Sequence, residues 1–262
     1  MKKVGLALGS GAVRGLIHVG VLKTLIKHKI PIDFIAGSSI GSWVGAHYSI
    51  YKDIDKLEEL TVGKKWEKLK TFLELSWSGG LVGGKKLEKL LNEWLGGANF
   101  KNCQIPLKIV ATDLVKGETV TFQEGSLTRA VQASMAVPGV FKPIRFKNRI
   151  LVDAGISNPV PDDLVKEMGA DIVIAVNLDN FQDIQKKKYT RFSDVGLRTA
   201  EIMRHYLAVH CMQDVDFIVQ PNLSKYASWS DYFTKKDMGR EIVEIGERET
   251  EKIIPAIKKA LQ

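Results

Sequence analysis

Apolar residues recur along this chain in two spacings, short unbroken runs and helical stripes, and the two alternate. Val4 to Leu8 holds no polar side chain, as a strand buried on both faces requires. Leu16, Val19, Leu22, Leu25 and Ile26 then recur at helical spacing, which predicts an amphipathic helix from Leu16 to Lys27. Phe34 to Ala36 is the next apolar run, and a helix follows through about Tyr51. Strand, helix, strand, helix in that order implies parallel strands joined by right-handed crossovers.

Beyond Tyr51 the pattern is helical at Asp53–Leu60, around Trp66–Leu75 and at Lys85–Leu95, predicting a helical cap region over about 53–100 beside the sheet. Leu107–Leu114 is a strand, and "VKGETVTF" a hairpin into another. Leu127–Met135 is helical until Pro138 and Gly139 stop it. Ile144–Val152 gives two short strands, Pro161–Met168 a helix and Asp171–Leu178 a strand. After the polar stretch "FQDIQKKKYTRF" come a helix over Ser193–Met212, a strand over Phe217–Gln220 and a final helix over Lys236–Leu261. The predicted class is α/β, in one domain spanning residues 1–262.

Composition narrows the picture. With 262 residues, 45% of them apolar, the chain can bury a full core without staples. Its two cysteines, Cys103 and Cys211, match neither a zinc pattern nor a disulfide framework, so both are expected as reduced, buried thiols. The opening "MKKVGLALGSGAVRG" imitates a signal peptide, but glycines break its apolar run and Arg14 follows soon after, which favours a cytoplasmic location. Phe34 to Tyr51 carries no charge and is long enough to span a membrane, yet its Gly and Ser content suits a buried element around a site. Net charge is +8, which favours anionic surfaces, although lysines interleaved with glutamates, as in "KKLEKLLNEW", also suit a solvated face.

Two loops carry candidate chemistry. In "IAGSSIGSWVG" Ser39 stands where a strand becomes a helix, between Gly37 and Gly41, the arrangement of a nucleophile held on a sharp turn. In "LALGSGAVRG" Gly9 and Gly11, with Ser10 between them and Gly15 behind, open another strand-to-helix junction whose N–H groups could hold an oxyanion or a pyrophosphate. A dinucleotide site would want an acidic residue at the end of the second strand, whereas Asp33 precedes that strand. Of five histidines, His47 is ~12 Å along its helix from Ser39, out of reach. His18 and His28 suit solvated or cationic positions of the first helix. His205 and His210 follow Ser39 and Asp153 in triad order, but inside a helical pattern. The better partner is Asp153 in "RILVDAGISNPVP", at a strand end.

Together these segments resemble the patatin-like phospholipases, in particular their small bacterial members. "LALGSGAVRGLIHVGVL" is similar to the family's oxyanion segment and "AGSSIGS" to its nucleophile elbow. "SGGLVGGKKLEKLL" and "ASMAVPGVFKPI" resemble its intervening blocks, and "LVDAGISNPVP" its catalytic-aspartate segment. The resemblance implies a three-layer fold, a mainly parallel sheet with helices on both faces. It implies a serine lipid acyl hydrolase that uses a Ser39–Asp153 dyad and an oxyanion hole at Gly11 and Ala12, with no metal or other cofactor. Arg14 matches the family's basic loop residue, although a surface arginine at a helix start is an equally ordinary reading. Two departures stand out: Ala154 follows the aspartate where the family usually has glycine, and Ser10, Ala12 and Val13 stand in the glycine loop. Ala154 keeps open a second reading, a regulatory or lipid-binding protein with little turnover. The expected partner is a lipid or acyl ester, not nucleic acid. Trp66, Leu69, Leu73 and Trp77 among lysines could add weak contact with an anionic membrane at its inner surface.

Overall fold

The computed structural model describes residues 2–62, 84–179, 192–223 and 237–262. The expected interfacial stripe from Trp66 to Trp77 and most of "FQDIQKKKYTRF" lie outside these residues. Strands β1 (Val4–Leu8), β2 (Phe34–Ser38), β3 (Leu107–Asp113), β4 (Thr119–Phe122), β5 (Ile144–Phe146), β6 (Arg149–Val152), β7 (Ile172–Val176) and β8 (Phe217–Val219) form one sheet in the order β5-β6-β3-β2-β1-β7-β8, with β4 against β3. β1 pairs in parallel with β2 and β7, β2 with β3, and β7 with β8. The hairpin strands β4, β5 and β6 are antiparallel.

Side-chain alternation along the strands separates three layers. Leu6, Leu8, Ile35, Ile109, Ile174 and Val176 point into the larger core, shared with α1 (Ile17–Lys27), α2 (Ile40–Tyr51), α5 (Leu127–Ser134) and α8 (Met238–Glu251). Ala7, Ala36, Val110, Val173 and Ala175 point to the other face, against α6 (Asp162–Glu167) and Ala208 of α7 (Phe192–Cys211). The second layer is built from small residues because α6 lies close. Leu57 and Leu60 of α3 (Ile54–Val62), with Leu87, Leu91, Trp94 and Leu95 of α4 (Gly84–Leu95), join the larger core, so the described helices of the expected cap pack directly onto the main body.

Three expectations need correction. The final helix is two, α8 and α9 (Ile254–Leu261), because Pro255 cannot donate to the carbonyl a turn earlier and its ring crowds it. Cys103 and Cys211 are free but only half-buried, and burial still pushes the Cys103 thiol up to about 11. His18 is fully buried rather than solvated. The uncharged stretch after Phe34 is β2 and α2, both buried, and among the described residues no helix is long and apolar enough to cross a membrane.

His47 yields a prediction about acid stability. Its ring is buried on α2, 4.7 Å from the Tyr51 ring, and among the described residues neither nitrogen has a hydrogen-bond partner. Burial, helped by the charge of Lys56, pushes its pKa down from 6.5 to about 4. Between those values the unfolded chain binds a proton that the folded chain refuses. Stability is therefore full above pH 6.5 and drains as pH falls towards 4. His47→Phe keeps the ring and removes the stranded nitrogens. Urea denaturation should find it about 1 kcal/mol more stable at pH 7 and further ahead at pH 5. A variant that is less stable, with the parent's acid slope, would show that the nitrogens are satisfied.

Candidate active site

The site forms where β6 takes over an edge of β3 from β2. Ile109 and Val110 pair with both β2 and β4, which therefore flank β3 on opposite edges. Thr112 pairs with both β4 and β6, so β6 occupies the β2 edge just past the end of β2. β2 runs up to Ser38 while β6 runs down to Val152. The residues that follow, Ser39 and Asp153, must meet.

They meet by a hydrogen bond. Ser39 Oγ donates to Asp153 Oδ2 at 2.6 Å, and both residues are 6% exposed. Ser39 holds φ 53° and ψ −119°, a conformation that L residues avoid and that needs enforcement by its surroundings. The Ser39 N–H donates to Ser134 Oγ on α5 (2.8 Å), and its carbonyl accepts from the N–H (2.9 Å) and Oγ (2.5 Å) of Ser42. The flanking glycines are there for clearance. A Cβ on Gly37 would lie 2.5 Å from Ser42 Cα, and one on Gly41 2.1 Å from the Leu8 carbonyl oxygen. Closeness at Gly41 presses the start of α2 against the end of β1, so the glycine loop lies beside Ser39.

Asp153 is fixed from several sides. Its Oδ1 accepts from the Gly155 N–H (2.9 Å), its N–H donates to the Ala136 carbonyl (3.0 Å), and its carbonyl accepts from Thr112 Oγ1 (2.9 Å). Burial pushes its carboxyl above the ordinary range, against the opposing pull of the Ser39 and Gly155 hydrogen bonds and of Arg204. That direction makes it a better proton acceptor than a solvated aspartate. Ala154 belongs to a short turn, Ala154–Ile156, and is absent from the positive-φ residues, so its methyl imposes no backbone strain. Strain falls instead on Ala12, at φ 53°.

The glycine loop is held with its N–H groups unevenly spent. Gly9 and Ser10 donate to the Val176 and Pro159 carbonyls (3.1 and 2.8 Å). Among the described residues, the N–H groups of Gly11 and Ala12 take no backbone carbonyl at the open start of the turn Ala12–Leu16. His18 supports the loop from beneath: its Nε2–H donates to the Gly9 carbonyl (2.8 Å), and burial lowers its pKa to about 4, so the ring is neutral. Gly15 lies against the Ile40 side chain, where its own Cβ would come within 2.4 Å.

Arg14 is buried, not a surface residue. Its Nε donates to the Gly11 carbonyl (3.2 Å) and its Nη2 pairs with Asp179 Oδ1 (3.3 Å). Asp179 follows β7 and also accepts Arg204 Nε (2.8 and 2.9 Å) and Ser10 Oγ (3.4 Å). His205 Nδ1 lies 2.6 Å from the Asp179 carbonyl, so the ring faces the ion pair, while the Ser39 hydroxyl bonds to Asp153. Sequence reasoning missed Asp179, Arg204 and Ser134. For Asp179 the signal was present: "IVIAVNLD" places a carboxylate just past an apolar strand, as "RILVD" does. Asp33 accepts the Val4 N–H (2.8 Å) at the start of β2, the far end of the sheet from these loops. Among the described residues no group of three His, Cys, Asp or Glu side chains converges as a metal site would require.

The arrangement can deprotonate a hydroxyl beside free main-chain donors, and known proteins share its scaffold. A model of the patatin-like phospholipase family matches residues 6–165. The chain is similar to an uncharacterised NTE family protein of Mycobacterium bovis, 36% identical over 181 residues that cover 68% of this chain and 49% of that one. It is also similar to patatin-like phospholipase domain-containing protein 6 of Mus musculus, 26% identical over 270 residues covering 93% and 20% of the two chains. The chain thus spans about half, or less, of the length of these relatives. Its fold resembles the crystal structure of VipD from Legionella pneumophila, with TM-score 0.58 at 11% identity over 97% of this chain and 67% of that one. Strand order, elbow and family match converge: the chain belongs to the patatin-like phospholipase family.

Proposed function

We propose that the protein is a serine hydrolase of lipid carboxylic esters, with Ser39 as nucleophile and Asp153 as base. The observation that carries this reading is the 2.6 Å hydrogen bond from a hydroxyl at a strained elbow to a buried carboxylate. Asp153 Oδ2 takes the Ser39 proton as Oγ adds to the ester carbonyl. The Gly11 and Ala12 N–H groups receive the resulting oxyanion, and each such donor is commonly worth ~3 kcal/mol in the transition state. Collapse expels the alcohol, which leaves with the proton held by Asp153, and Ser39 is acylated. Water then gives a proton to Asp153 and attacks the acyl-serine. The carboxylic acid departs and the proton returns to Oγ.

Support for a lipid acyl group comes from the family, and the net charge of +8 favours weak contact with an anionic membrane surface. The low-turnover alternative loses its motive, since Ala154 is unstrained. A fluorophosphonate probe tests the reading. Wild-type protein should label, and Ser39→Ala should not. Equal labelling of the two would move the reactive hydroxyl elsewhere.

A further inference from the structure

The peptide between Gly11 and Ala12 is fixed through its carbonyl. That oxygen accepts two donors, the Arg14 N–H (3.1 Å) and Arg14 Nε (3.2 Å). A trans peptide points its carbonyl and its N–H in opposite directions, so whatever holds the Gly11 carbonyl also aims the Ala12 N–H. Ala12 opposes that aim. At φ 53° it lies in the left-handed region, and turning the peptide over would carry its φ by about 180° into the extended region that alanine prefers. The turned peptide would put the Gly11 carbonyl, an acceptor, where the Ala12 donor now points.

The hold on that carbonyl is anchored far along the chain. Arg14 is buried, and its Nη2 reaches Asp179 Oδ1 (3.3 Å). The Asp179 side chain is 1% exposed and also receives Arg204 Nε on both oxygens (2.8 and 2.9 Å) and Ser10 Oγ on Oδ2 (3.4 Å). Its own N–H donates to Asn177 Oδ1 (2.9 Å), and its neighbour Leu178 packs on Gly11, where a Cβ would come within 2.7 Å. The carboxylate therefore grips the glycine loop at Ser10 and at Arg14, on both sides of Gly11. Burial works against the Arg14 charge, Asp179 supports it and Arg204 repels it. Without the carboxylate, two buried guanidinium groups would push apart and Arg14 would leave the Gly11 carbonyl. Asp179 and Arg204 both lie beyond the stretch that matches the family model.

We propose that Asp179 is a positioning residue for ester hydrolysis: through Arg14 it locks the Gly11–Ala12 peptide in the strained orientation that presents the Ala12 N–H to the oxyanion. The inference rests on the ester-hydrolase reading, in which that N–H is a donor, and adds the device that keeps it aimed. Asp179 acts on the reaction only through Arg14 and the loop. Its part is to oppose the relaxation of Ala12, so it matters most while charge develops on the ester oxygen and least while the neutral ester binds.

The test measures p-nitrophenyl butyrate turnover by Arg14→Lys, by Asp179→Asn and by Asp179→Asn combined with Ala12→Gly. Asp179 also acts on the charge of Asp153, whereas Arg14→Lys keeps every charge and removes the forked donor, so it isolates the hold on Gly11 even if Asp179→Asn fails to fold. Each single variant should lower kcat by about tenfold or more, with KM within about twofold of wild type. Glycine has no preference between the two peptide orientations, so the double variant should regain at least about threefold over Asp179→Asn. Crystal structures give a readout independent of turnover: Arg14→Lys should show the peptide turned over, with Ala12 at negative φ. Wild-type kcat in Arg14→Lys, or Ala12 still at positive φ there, would overturn the proposal, as would a double variant no faster than Asp179→Asn. Turnover that Ser39→Ala abolishes and Arg14→Lys leaves intact would keep the hydrolase reading and sink the positioning role. If wild type hydrolyses no ester yet the peptide turns over in Arg14→Lys, the hydrolase reading fails and the hold on the loop stands.

Discussion

Asp153→Asn should lower ester turnover by about 10³-fold and leave the protein folded. The amide oxygen can still accept the Ser39 hydroxyl, so the geometry of the pair survives, but an amide cannot take the proton. Stability supplies a second readout. Because burial raises the Asp153 carboxyl, the folded chain binds a proton more readily than the unfolded chain just above the usual carboxylate range. Stability therefore falls as pH rises through that window, the reverse of the slope expected from His47. Asparagine is neutral throughout and removes this fall, so thermal unfolding at pH 7 should find the variant at least as stable as the parent. Turnover within a few-fold of wild type, in a folded variant, would require another base.

Gly41→Ala should be the most damaging single methyl near the site. The added carbon would sit 2.1 Å from the Leu8 carbonyl oxygen and 2.9 Å from that of Gly9, both main-chain atoms that cannot swing aside. Either α2 moves off β1 or the glycine loop shifts, and we expect a loss of about 3 kcal/mol in urea denaturation. Gly196→Ala is the control, since a Cβ there meets nothing within 4 Å in helix α7. That change should be neutral or stabilising by about 0.5 kcal/mol. Equal behaviour of the two variants would mean that the elbow tolerates a wider gap than its contacts imply.

Much of this architecture is written in local pattern. Fully buried strands such as Val4–Leu8 and Ile172–Val176 stand out because both faces are covered, and the strand-end rule places Ser39 and Asp153 at one end of the sheet. What local pattern does not carry is pairing across distance. Nothing near Arg14 announces that its partner is Asp179, 165 residues on, so a buried ion pair passes for a surface arginine. His18 is misjudged for the same reason: its burial is decided by what α8 and the glycine loop lay over α1. Ser134 lies in a helix whose sequence gives no sign that its hydroxyl will meet the backbone of Ser39. The break before α9 was legible, since Pro255 interrupts a helical stripe, but hydrophobic spacing alone runs through it.

The takeover of the β3 edge by β6 also sets when Ser39 and Asp153 can meet. On a ribosome the residues of the elbow emerge within the first strand–helix repeats, while Ser134, which holds the Ser39 N–H, is 95 residues further along and the carboxylate partner 114. Until that hairpin has emerged and docked, the serine has no proton acceptor. If Asp153 is the base proposed above, the elbow stays without its proton acceptor through all of the synthesis that separates the two residues.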